Sequence, residues 1–71
     1  MSQVFTSNRA ARELLEKYGL QQCVILAFSD ARGYEIVAAG ANEADAQTAV
    51  EVAKGLSEGL TPTGLPVKIV G

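Results

Sequence analysis

The chain has 71 residues, enough for one domain and too few for a second core, and its 48% hydrophobic content against 20% charged excludes intrinsic disorder. Six basic and eight acidic residues leave a net charge of −2, so no basic field exists to hold DNA or RNA in bulk. A single cysteine and no histidine exclude an internal disulfide and the usual zinc ligand sets.

Residues 1–7 lack the charged start and apolar run of a signal peptide, and the longest strictly apolar run, 23–28, is far too short to span a bilayer. The expected location is the cytosol of the host. Over residues 7–18, Ala11, Leu14, Leu15 and Tyr18 fall at i, i+3, i+4 and i+7, the spacing of one helix face. Ser7 is placed to accept a hydrogen bond from the first turn, Gly19 to end the helix in the left-handed conformation, and Leu20 to fold back on Leu15. Arg9 with Glu13, Arg12 with Glu16 and Glu13 with Lys17 are i, i+4 pairs on the solvent side.

Two strand-like runs follow, Gln22–Ser29 and Gly33–Gly40, with turn chemistry in Asp30, Ala31, Arg32 and Gly33. This predicts a β-hairpin. In the first strand Val24, Leu26 and Phe28 share one face and Cys23, Ile25 and Ala27 the other, so both faces are apolar and the strand is expected to be covered on both sides. Cys23 reads as a small core residue. Asn42 caps a second helix over 43–58, with Glu43 and Asp45 at its positive end and a buried stripe of Ala46, Ala49, Val50, Ala53, Leu56 and Leu60. Alanines in that stripe imply close packing, and Gly55 weakens the helix near its end.

Residues 59–66 hold both prolines and read as a loop or arm. Val67–Val70 suits a short edge strand, since Lys68 sits between Val67 and Ile69, on its own sheet or a neighbouring subunit's. The segment 3–5 is a second short apolar piece of the same kind. The order helix, strand, strand, helix, short strand defines a single α+β domain over 1–71 with a small antiparallel sheet. Two helices and a hairpin leave an apolar sheet face over, so the sheet is expected to be completed by homo-oligomerisation.

Chemistry is sparse. Without histidine there is no ordinary general base near neutral pH and no Ser or Cys triad. Asp30 and Glu35 flank the hairpin turn, and Glu43 and Asp45 open the second helix, in contexts that suggest neither burial nor catalysis. No glycine-rich phosphate motif occurs. No enzymatic activity, metal or cofactor is expected. The candidate ligand-binding residues are Arg9, Arg12, Tyr18, Arg32 and Tyr34, because a guanidinium forks onto phosphate oxygens and a phenol ring offers a flat face to a base. Each also has a plain alternative: Arg9 and Arg12 as helix-surface ion pairs, Tyr18 as core or interface, Arg32 and Tyr34 as ordinary turn and strand surface.

The run LLEKYGLQQCVILAFSDARGYEIVAAGANEADAQTAVEVAKGL, residues 14–56, resembles small bacteriophage proteins that place a glycine-terminated helix before an apolar strand, a glycine-terminated strand and an Ala-rich helix. Proteins of this size include the anti-CBASS type sponges, oligomers that sequester cyclic nucleotide signals of bacterial anti-phage immunity. The resemblance implies capture of a cyclic dinucleotide, without hydrolysis, in pockets between subunits. The other reading is a small oligomeric protein-interaction module, a phage inhibitor or adaptor of a host protein that offers an apolar sheet face or its C-terminal arm.

Overall fold

In a computed structural model, residues 5–71 are described, so Gln3 and Val4 of the short N-terminal apolar segment lie outside the described residues. The elements are α1 (Arg9–Tyr18), β1 (Gln22–Ser29), β2 (Gly33–Gly40), α2 (Glu43–Leu60), a 3-10 turn at Thr61–Thr63 and β3 (Val67–Val70). The α-β-β-α-β order and α+β class are those of the sequence pattern.

Helix α1 begins after Asn8, with the Ser7 hydroxyl accepting the Arg9 N–H at 3.4 Å. It ends at Gly19 (φ 63°, ψ 40°), where the Leu20 N–H reaches back to the Leu15 carbonyl at 3.0 Å, the pattern of a Schellman ending. Of the three charge pairs on its surface, Arg9 and Glu13 make an ion pair at 3.4 Å; among the described residues the other two are not within ion-pair distance.

The hairpin pairs β1 and β2 antiparallel from Gln22 opposite Gly40 to Ser29 opposite Gly33. Its turn closes with the Arg32 N–H on the Ser29 carbonyl at 3.3 Å, and Gly33 follows at φ 82°, a conformation that disfavours any side chain. Gly33 is required for a second reason: a Cβ there would lie 2.5 Å from the Pro66 carbonyl oxygen. The absent side chain lets the chain entering β3 run against the hairpin, where the Pro66 carbonyl accepts the Tyr34 N–H at 2.9 Å.

Asn42 caps α2 as expected, accepting the Asp45 N–H at 2.9 Å. Gly55 does not end the helix, which continues to Leu60 and shortens the expected loop to a 3-10 turn and 64–66. The small side chains explain how close it lies: Ala49 and Ala53 are fully buried, and a Cβ on Gly40 would meet the Ala46 nitrogen at 2.1 Å.

Strand β3 pairs with β2 in its own chain, and it does so in parallel, Tyr34 opposite Val67 through Val37 opposite Val70. The sheet among the described residues is therefore mixed, in the order β1-β2-β3, and the expectation of a wholly antiparallel sheet is corrected. An 18-residue helix between β2 and β3 carries the chain back to the starting end of β2, and strands joined by such a crossover run parallel.

That crossover makes β2 the centre. On one face Val37 and Ala39 pack with Ala11 and Leu15 of α1, Val70, Phe5, Cys23 and Ile25. On the other, Ile36 and Ala38 pack with Ala49 and Ala53 of α2, joined by Val24, Val50, Leu60, Val67 and Ile69. Each sheet face has its own helix, contrary to the expected leftover face. Covering centres on β2, however, and the expectation that β1 is sealed on both sides is corrected: Leu26 and Phe28 are 49% and 52% exposed. Glu35 departs from expectation in the opposite sense, being buried beneath the α1 side of the sheet between Ala27 and Lys68 on the flanking strands. No helix among the described residues is long and apolar enough to cross a membrane.

Candidate functional site

Strand β1 is an edge. Among the described residues its outer side faces no other strand, so a row of backbone N–H and C=O groups is available for pairing. The strand QCVILAFS is eight residues long and contains no charge, no proline and no glycine. Leu26 and Phe28 rise from it on the same face as Val24, the face on which α2 lies. Phe28 is steadied from behind by Tyr34 on β2, ring centroids 4.9 Å apart at 48°.

The helix extends this apolar strip. The Asp45 carboxylate accepts a hydrogen bond from the Gln22 side chain at 2.9 Å, which marks the flank of α2 that looks toward β1. The opposite flank looks toward β3, where Val50 stands against Gly71. Val52 and Leu56 follow Asp45 at i+7 and i+11, on the β1 flank, and are 47% and 39% exposed. Leu26, Phe28, Val52 and Leu56 thus line one side of the molecule next to an open strand edge. The alternation that sets Leu26 and Phe28 on one face is visible in the sequence, where it predicts a buried face, yet both are half exposed. The missing signal was the crossover to β3, which moves the centre of the sheet from β1 to β2.

The five residues proposed for ligand binding do not converge in one protomer. Arg32 and Tyr34 meet at the hairpin tip, both half-buried, with Tyr34 against Phe28. Arg12 lies toward the other end of β2, lining a crevice of about 290 Å³ with Leu15, Glu16, Leu20, Gly40 and Ala41. Gly33 and Gly40 are seven residues apart along β2, roughly 23 Å at 3.3 Å per residue. Arg9 is held by Glu13 at the start of α1, and Tyr18, 62% exposed, closes the same helix with the Lys17 ammonium 5.4 Å from its ring centre. A wider trough of about 700 Å³ runs beside α2, but its described lining comes from that one helix, which by itself encloses nothing.

The site and fold together define a three-layer α/β/α domain with a mixed sheet, one of whose edges is long, uncharged and flanked by exposed apolar side chains. No protein-family model, curated protein or solved structure matches the chain.

Proposed function

We propose that the protein is a small non-enzymatic interaction module that binds an extended segment of a protein by strand addition at β1. The observation that supports this is the outer edge of Gln22–Ser29, uncharged and proline-free, beside half-exposed Leu26 and Phe28. Backbone pairing supplies affinity in this mode, and the pockets that take alternate side chains supply selectivity. Leu26, Phe28, Val52 and Leu56 would receive those side chains.

The test is amide hydrogen exchange on the full chain, with and without a soluble lysine-tagged peptide carrying the β1 sequence. With the chain dilute enough to be monomeric, added protection at β1 amides is expected, and a peptide N-methylated along its pairing edge should give none. Exchange at β1 of the monomeric chain that is indifferent to both peptides overturns the reading.

One observation favours a second reading, capture of a cyclic dinucleotide. The hairpin tip sets Arg32 two residues from Tyr34, whose ring is braced by Phe28, so that a guanidinium and an aromatic face lie within reach of one small anionic ligand. Calorimetric titration with cyclic dinucleotides checks it. Binding that survives joint replacement of Arg32 and Tyr34 by alanine would remove those residues from the site.

A further inference from the structure

Resting on the strand-addition reading, we infer that the occupant of the β1 edge is β1 of a second copy, the two strands running antiparallel about a two-fold axis to make a continuous six-stranded sheet. A two-fold interface requires a surface complementary to itself, and β1 meets this condition in charge and in shape. None of its eight residues is ionised, so two copies of net charge −2 bring no like charges face to face along the strand.

In a pairing centred on Leu26, that residue lies beside the partner's Leu26 and Phe28 lies beside the partner's Val24, all on the α2 side of the sheet. Asp30, the nearest charge past the end of the strand, then falls opposite the partner's Gln22, whose amide donates to Asp45, so acidic groups stand at the two exposed ends of the pairing and none along the strip. An apolar strip met by its own copy is covered without stranding a charge along its length. A charged partner would find nothing on β1 to pair with.

The size of the core points the same way. The largest fully buried side chains among the described residues are Ile36 and Val37, and the rest of the core is mainly alanine. A 71-residue chain with so little large apolar burial gains from a second copy what it cannot bury alone. The four strip residues expose roughly half of side chains of about 150–200 Å² each, or about 300–400 Å² per copy. That is near half of the ~800 Å² per partner of a standard interface, and the paired strand backbone adds to it.

Sedimentation equilibrium of the full chain decides the matter. The expected species at micromolar concentration has twice the 7.4 kDa chain mass. Leu26→Lys, at a position half in solvent, should weaken the dimer by at least tenfold while leaving the folded far-ultraviolet spectrum, whereas Leu65→Lys, on the loop before β3, should leave the dimer intact. A dimer that tolerates Leu26→Lys overturns this pairing. A monomer at every concentration overturns the self-pairing alone if the lysine-tagged β1 peptide still protects the β1 amides, and overturns the strand-addition reading as well if it does not.

Discussion

The two edges of this sheet are built in opposite ways. Strand β3 is four residues long, enters from Pro66, and carries Lys68 at its middle with the ammonium 3.3 Å from the Phe5 carbonyl. Short length, a neighbouring proline and a lysine are the ordinary defences of an edge against further pairing. Strand β1 is twice as long and has none of them. A chain that guards one edge and leaves the other bare, with apolar side chains beside it, has a direction in which it can extend, and the contrast supports β1 as the working surface.

The largest expected effect on this contrast comes from Gly40→Ala. The new Cβ would enter the first turn of α2, 2.1 Å from the Ala46 nitrogen and 2.3 Å from the Asp45 carbonyl carbon, and backbone on both sides cannot give way cheaply. A loss of at least ~3 kcal/mol is expected in urea unfolding, enough to dislodge α2 and with it the crossover that supplies β3. A loss under ~1 kcal/mol would mean that the close seating of α2 does not hold the guarded edge.

Gly33→Ala is next and acts on the guarded edge locally. It strains a residue at φ 82° and drives a methyl toward the Pro66 carbonyl, so a cost of about 2–4 kcal/mol is expected, with amide exchange rising first in β3 and at Tyr34. Exchange that rises first in β1 would reverse the assignment of which edge Gly33 serves. The smallest effect on stability belongs to Lys68→Ile, expected to stay within ~0.5 kcal/mol because the side chain is at the exposed surface. Its consequence should be seen in light scattering, as association beyond that of the parent chain once both edges are bare. Unchanged scattering would show that length and Pro66 alone protect β3.

Elements with strong local signals were legible in the residues. The hairpin limits, the Gly19 ending of α1, the Asn42 cap and the β3 segment all rest on nearest-neighbour chemistry, a turn, a cap or an alternation of period two. The extension of α2 through Gly55 to Leu60 was less legible, because one glycine lowers helix propensity by only about 1 kcal/mol and packing of Leu60 against the sheet outweighs it. The candidate site was the least legible. Arg12 and Arg32 are separated because one belongs to a helix packed toward the Gly40 end and the other to the hairpin tip, a distance that residue type cannot reveal.

Composition and local pattern were enough for the α+β class, the order of elements, and which residues of each strand share a face, since these depend on interactions within a few residues. Which strand is central, which helix covers which face, why Glu35 is buried while Phe28 is half exposed, and that β3 runs parallel were decided only in three dimensions. They depend on where the crossover through α2 returns the chain, and that return is set by long-range contacts: Gly40 beneath Ala46, Gly33 beside Pro66, and β2 enclosed between Ala11 and Leu15 on one side and Ala49 and Ala53 on the other.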